Sequence, residues 1–309
     1  MDGNFLISNV IGFLGVLQLK TQYNGADITG VETEPLISSD DPNFRPSDLE
    51  VGGDGALYIA DWHNTLIGHM QHNMRDPNRD AQHGRIYRMT YEGRPLVTPP
   101  KMKGKPIAEV LQNFFSRENS TRYRARLELS GRPTAEVTAA IEQFTAGLNP
   151  KNAPPERDEA QALLECLWTH AEHRVANGPQ IEKIFLADEP RVRAAAIRTL
   201  GQWAGKVENW QTVLLQAARD DSALVRAEAV KAAVEFVPVD GMVSAEVVFE
   251  TSSRPLDDEL STVLEYSERF IDVKKMIRQS LARGGELAPN ARAYLLRTGS
   301  PTDLSLIHI

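Results

Sequence analysis

The chain has a single cysteine in 309 residues, Cys166, and that scarcity alone removes several chemistries. No internal disulfide can form, no CxxC metal site exists, and no C-x-x-C-H can attach a haem within these residues. Lysine and arginine never gather into a run, the net charge is −8 and the isoelectric point is near 5.5. Nucleic-acid binding rests on clustered basic groups that displace counterions, so nucleic acid is not an expected partner. No stretch of about 18 apolar residues occurs, and no membrane-spanning helix is expected. Hydrophobic content of 41% is ordinary for a globular protein, and the length allows two domains.

The two ends carry signals of their own. Met1 runs at once into "DGNFLIS", a turn entering a strand, with no basic leader or cleavage site. The last six residues, "LSLIHI", resemble one translated frame of a transposon-end adapter used in preparing sequencing libraries. We therefore expect a disordered tail over 299–309, artefactual at 304–309. The natural protein is expected to continue beyond about Thr302 and to begin upstream of Met1, so that this chain is an internal fragment.

What is present divides into two halves with different periods. Asp2-Gly3-Asn4-Phe5-Leu6-Ile7 recurs as Asp54-Gly55-Ala56-Leu57-Tyr58-Ile59, an offset of 52 residues. Asp-Gly is a turn signal because glycine supplies a positive φ, and each copy then enters an apolar run suited to a buried strand. A strand-rich repeat of this length suggests propeller blades. Strands are expected near 4–10, 15–22 and 31–37, as strands b, c and d of one blade. Those near 47–51, 56–60 and 84–91 would be a, b and c of the next. Less than two blades cannot close a propeller, so this half cannot cover its own sheet faces.

The stretch "RPLVTPPKMKGKP" (94–106) holds four prolines and reads as a linker. Beyond it the pattern turns helical. Val192 and Val225, Arg193 and Arg226, and Asp188 and Asp221 each lie 33 residues apart, and Leu167 precedes Leu200 by the same interval. Two helices per repeat of that length match a HEAT-like α-solenoid. The fold expected is thus a β + α multidomain protein. Residues 1–93 would be the C-terminal blades of a β-propeller, about two in number, and 107–298 HEAT-like helical repeats. Past Pro238 the repeat fades, although 256–283 still reads as helical.

The helical half offers little chemistry. Arg193 and Arg226 are each expected to pair with an aspartate of their own or the next repeat. His170 and His173 lack a third ligand and read as an exposed or packed pair. Cys166, Trp203 and Trp210 read as core.

Residues 61–88, "DWHNTLIGHMQHNMRDPNRDAQHGRIYR", are richer, with four of the seven histidines. They fill a b–c connection of more than 20 residues, longer than connections usually are without a function. Strands of a blade alternate in direction, so this loop emerges on the face of the d–a connection at 38–48. Arg45 and Asp48 are therefore expected at one propeller mouth with Asp61, His63, His69, His72 and His83. Histidine can ligate metal or act as a general base, Asp48 and Asp61 can orient an imidazole or hold Ca²⁺, and Arg45, Arg75 and Arg79 can clamp a carboxylate. His63 beside Asp61 is the catalytic candidate; Arg45, Asp48, His69, His72, Arg79 and His83 are candidate substrate or cofactor contacts. The histidine spacings of 6, 3 and 11 match no zinc signature. A loop stapled by its own Asp and Asn side chains, with incidental histidines, is an equal reading, and Arg85 and Arg88 are expected to point outward.

"NFRPSDLEVGGDGALYIADWHNTLIGHMQHNMRDPNRDAQHGRIYRMTYEGRPL" (43–96) closely resembles the membrane-bound dehydrogenase family of large bacterial extracytoplasmic proteins. The resemblance is strong over about residues 1–130 and mainly architectural beyond. It implies a glucose/sorbosone-dehydrogenase-like or NHL-like β-propeller, then HEAT-like repeats, often followed by a C-terminal c-type cytochrome domain. Asp61, His63, His69, His72 and His83 occupy the family's recurrent motif positions; what carries over is motif rather than mechanism. Pyrroloquinoline quinone with Ca²⁺ is the cofactor of related sugar dehydrogenases. The resemblance further implies a periplasmic or secreted protein that oxidises a sugar or alcohol. Electrons would pass to a c-type haem domain of the same polypeptide absent from this chain, which alone would be inactive. The alternative is a non-enzymatic propeller and HEAT-repeat protein that binds a polysaccharide, or a protein partner on its helical surface.

Overall fold

A computed structural model describes residues 3–67, 75–151, 157–282, 286–300 and 304. The structure is mixed α/β, with eleven α-helices, two small antiparallel sheets and no closed barrel among the described residues. It divides into two compact units. One comprises residues 1–24, 28–101 and 117–123, the other 25–27, 102–116 and 124–309. The tail expected at 299–309 lies mostly outside the described residues.

The first unit holds the sheets. One contains β1 (Asn4–Asn9), β2 (Gly15–Asn24), β3 (Asp27–Glu32) and β4 (Ile37–Ser38), with β2 central. The other has β5 (Pro46–Val51), β6 (Leu57–Asp61) and β7 (Arg85–Met89) in sequence order. The 52-residue repeat is physical: β1 and β6 follow turns in which Gly3 and Gly55 take φ of +83° and +78°. Alternation along each strand then sends Leu57 and Ile59 to one face. They bury there with Val16, against Leu6, Leu36 and Ile37 of the first sheet and Leu49, Tyr87 and Met89 of their own.

The strand expected at 31–37 is corrected. Gly25, with φ of +64°, closes a two-residue hairpin loop, so β2 and β3 meet there and pairing begins at Asp27. Thr33 and Leu36 still donate to the Gln18 and Val16 carbonyls at 2.9 Å, but Pro35 has no amide to donate, regular pairing lapses over 33–36, and it resumes as Ile37 pairs with Val16. Arg85 and Arg88 are both exposed, as expected, but on opposite faces of the sheet. Arg88 lies opposite Tyr58 and Arg85 opposite Asp61, which are on opposite faces of β6.

The helices are α1 (Ile107–Leu111), α2 (Asn119–Ser130), α3 (Thr134–Ala146), α4 (Glu159–Glu172), α5 (Gly178–Ile184) and α6 (Pro190–Gln202). They continue with α7 (Trp210–Ala218), α8 (Ala223–Ser252), α9 (Asp258–Ser267), α10 (Val273–Ala282) and α11 (Pro289–Thr298). The second unit has one continuous apolar core, to which Cys166, Leu167, Leu200, Trp203 and Trp210 belong. Trp210 stacks on Phe236 with centroids 4.1 Å apart. Gly201 lets α6 approach α8 closely, since a Cβ there would lie 3.2 Å from Ala232. Past Pro238 the helix breaks at Asp240 and restarts, with the Asp240 carboxylate accepting the Met242 and Val243 amides. No helix among the described residues is long and apolar enough to cross a membrane.

The arginine expectation holds once and fails once. Arg193 donates Nε and Nη2 to Asp220, each at 2.8 Å. Arg226 instead donates to the carbonyls of Asp220, Asp221 and Pro255. Thirty-three residues beyond Asp220 stands Ser253, so no carboxylate is offered at the corresponding place. Arg193→Met leaves the largely buried Asp220 with only the Ser222 amide and no countercharge, and is expected to cost about 3–5 kcal/mol. Adding Asp220→Leu should restore most of that loss. Urea midpoints of the helical circular dichroism check both; a double variant no better than the single contradicts the pairing.

Candidate functional site

At Asp61 the chain leaves β6 on the face where Ile59 and Leu57 are buried, so the carboxylate is carried inward and is 3% exposed. A charge there must be bonded or neutralised. Asp61 Oδ1 accepts the backbone amides of Arg45 at 2.7 Å and His63 at 2.8 Å, and the Trp62 amide returns to the Arg45 carbonyl at 2.9 Å. The strand exit is thereby tied to the residue before β5. The same bond to its amide accompanies a left-handed backbone at His63, φ +51°, which is strained for a residue of this size.

The second Asp61 oxygen is different. Oδ2 is buried with no partner, and so is Nδ1 of His63, 3.9 Å away. That separation is too long for a hydrogen bond. Each buried unsatisfied group costs about 1–3 kcal/mol, so closing the gap is favourable. A neutral imidazole protonated at Nδ1 would donate to Oδ2 and leave Nε2, on the far side of the ring, as the basic nitrogen.

The other polar groups hold the loop. Arg45 donates Nε to the Asn64 carbonyl at 3.0 Å, Nη1 to Val10 at 2.7 Å and Nη2 to Thr65 at 3.0 Å. Its guanidinium is committed to backbone. Arg79 Nη1 donates to the Leu66 carbonyl at 3.1 Å. Asp80 accepts the amides of Gln82 and His83 at 3.0 Å, and its Oδ2 lies 2.8 Å from His83 Nδ1. The Gln82 amide, with help from His83, holds the Asp80 carboxyl below its ordinary range. Asp48 is exposed, and its carboxylate accepts the amide of the next residue, Leu49, at 2.9 Å.

Of the expected cluster, Asp61, His63 and Arg45 meet directly, through the backbone bonds to Asp61 and the carbonyls held by Arg45. Arg79 and His83 join the same loop at Leu66 and Asp80. Asp48 stands apart on the exposed strand face. His69 and His72 lie outside the described residues. Sequence reading missed Asn64, which is 4% exposed, accepts the Leu66 amide at 3.1 Å and donates to the Asp80 carbonyl at 3.2 Å. Its signal was an Asx residue at the start of a long loop. Missed too was a cleft of about 570 Å³ on the helical unit, lined by Arg198, Gly201, Gln202, Glu228, Lys231, Ala232 and Glu235. Burial raises the Glu228 carboxyl, but bonds from Arg198 and Lys231 outweigh it and hold the group ionised.

Among the described residues no three His, Cys, Asp or Glu side chains converge on one point. Asp61 offers one free oxygen and Asp48 is turned to its own backbone. His170 and His173 turn to different partners: His170 Nε2 meets Asn177 at 3.2 Å, and His173 Nε2 lies 3.1 Å from the Leu129 carbonyl.

Residues 1–93 match the family model described as a domain of unknown function (DUF7133). No curated protein and no solved structure matches the chain.

Burial lowers the His170 imidazole to about 4, with the charge of His173 adding to the effect. A histidine depressed from about 6.5 contributes stability that is complete above 6.5 and lost as pH falls towards 4. Urea midpoints of the helical signal should therefore fall between pH 7 and pH 4. His170→Leu should flatten that window, and an unchanged slope would contradict the burial argument.

Proposed function

We propose that this chain is the closing part of a β-propeller joined to a HEAT-like solenoid, in an extracytoplasmic protein that oxidises a sugar or other alcohol. In this reading His63 accepts the hydroxyl proton at Nε2, and Asp61 holds the ring by its Nδ1–H and stabilises the imidazolium that forms. The hydride equivalent, two electrons and a proton, would go to a quinone-class cofactor held elsewhere in the polypeptide, and a c-type haem domain would then take the electrons one at a time. The observation that carries this is the pair of buried, unpartnered atoms, Asp61 Oδ2 and His63 Nδ1, at 3.9 Å. Folding alone gains nothing from leaving both unsatisfied, and their meeting orients a base at a loop-built surface. The resemblance over 43–96 supplies the substrate class.

The rival reading is a non-enzymatic protein that grips a polysaccharide or protein. Its specific support is the commitment of Arg45, Arg79 and Asp80 to backbone groups, which leaves them structural rather than free for a substrate.

His63→Gly separates the two. Glycine takes φ of +51° without strain, so this change should leave stability equal or raise it by about 1 kcal/mol. Dye-linked oxidation of sugars by the complete protein should nevertheless fall by about 10²–10⁴-fold, the usual contribution of a general base. Unfolding measured on the same variant is the companion readout. Normal turnover, or a large loss of stability, would refute the catalytic role.

A further inference from the structure

One arrangement of side chains occurs twice in the helical unit, and only the first copy is complete. There α4 carries Glu165, Trp168 and Glu172 along one stripe, and α2 supplies Arg126. Arg126 donates Nη1 to the fully buried Glu165 and Nε to Glu172 at 3.3 Å. Its guanidinium lies 5.2 Å from the centre of the Trp168 ring. With its edge on carboxylates and a flat face on an indole, the Arg126 side chain is 16% exposed.

The second copy keeps the spacing on α8, as Glu228, Lys231 and Glu235, and α6 supplies Arg198. Glu228 is 2% exposed and accepts Arg198 Nε and Nη2 at 3.0 and 2.9 Å, and Lys231 Nζ at 3.2 Å. What is missing is the tryptophan: three residues after the buried glutamate stands a lysine turned back to that same glutamate. The Arg198 side chain is 64% exposed. The cleft of about 570 Å³ opens at this point, lined by Arg198, Glu228, Lys231 and Glu235.

A guanidinium bonded along its edge has only its flat cationic faces left to offer. The group that such a face prefers is an aromatic ring, whose own faces carry negative charge. A further carboxylate gains less, because Glu228 already holds both cations and Glu235 would repel it. Gln202 and Glu235, both exposed, offer acceptors for a ring N–H or O–H. Exposed side chains of two helices form the walls over buried Gly201 and Ala232, so the cleft is an open groove. An open groove suits a ring carried on a chain that runs outside it better than a small molecule, which a pocket mostly encloses.

We propose that the groove between α6 and α8 binds a tryptophan or tyrosine side chain of a partner polypeptide, stacked on Arg198 as Trp168 is on Arg126. It shares no residue with the Asp61–His63 site, so the two proposals fail separately.

N-acetyl-tryptophanamide is the probe, and N-acetyl-leucinamide is the control with the same backbone and no ring. The tryptophan probe should move the Arg198 Nε–H resonance saturably by ring current, and the leucine control should not. Arg198→Lys keeps a cation for Glu228 but loses the flat face. Probe binding, followed on the Gly201 amide, should weaken about fivefold or more in that variant. Lys231→Trp rebuilds the spacing of Glu165 and Trp168 within the chain. It should move the Arg198 Nε–H resonance with no probe present and abolish probe binding. The proposal is overturned by the absence of a saturable shift, by equal shifts with the leucine control, or by full-strength binding to either variant. Tighter binding of free tryptophan than of the blocked amide also overturns it, since the occupant would then be a free amino acid.

Discussion

The carboxylate of Asp61 is the joint on which the long loop turns. A buried charge must find donors, and here one oxygen takes two backbone amides, one before β5 and one at His63. Those bonds close the strand exit onto its neighbour and accompany the left-handed backbone at His63. Arg45, held in place by its own amide on Asp61, then reaches three carbonyls and fixes the path through Val10, Asn64 and Thr65. What this scaffold leaves over is one carboxylate oxygen and one imidazole nitrogen, facing each other without a bond.

The sheets obey a different constraint. Each has two faces, and one pairwise contact can cover only one face of each. The second sheet places Asp48, Glu50, Tyr58 and Arg88 on its far side, with Ile86 exposed among them. The first has apolar residues on both sides, Leu6 and Val16 on one and Phe5 and Ile7 on the other. The family match over residues 1–93 covers the part of the chain that holds both sheets. The buried apolar side chains of the helical unit gather into one core, while Leu127, Leu186, Tyr266, Phe270 and Leu296 remain exposed.

Much of this was legible from residue order. Asp-Gly pairs announce turns because only glycine takes those φ values easily, and the strands after Gly3 and Gly55 stand where the repeat puts them. Val192 and Val225, 33 residues apart, are both buried, at matching places in α6 and α8. The hairpin at Asn24-Gly25 carried an equally plain signal that the strand boundaries at 22 and 31 ignored. Arg45 was illegible for a deeper reason: its partners are backbone carbonyls, which every residue owns, so no pattern marks them. His63 was legible as a candidate by its neighbour Asp61, but its left-handed backbone follows from tertiary bonds that no local rule contains.

Whether the Asp61–His63 pair reacts or merely braces the loop depends on which ring nitrogen holds the proton. Nitrogen-15 shifts of the His63 ring, in the wild-type chain and in Asp61→Asn, measure this directly. The expected result is an Nδ1–H tautomer with a basic Nε2 in the wild type, and a loss of that preference when the carboxylate becomes an amide. A wild-type ring protonated at Nε2, or a tautomer indifferent to Asp61→Asn, would contradict the pairing and with it the proposed base.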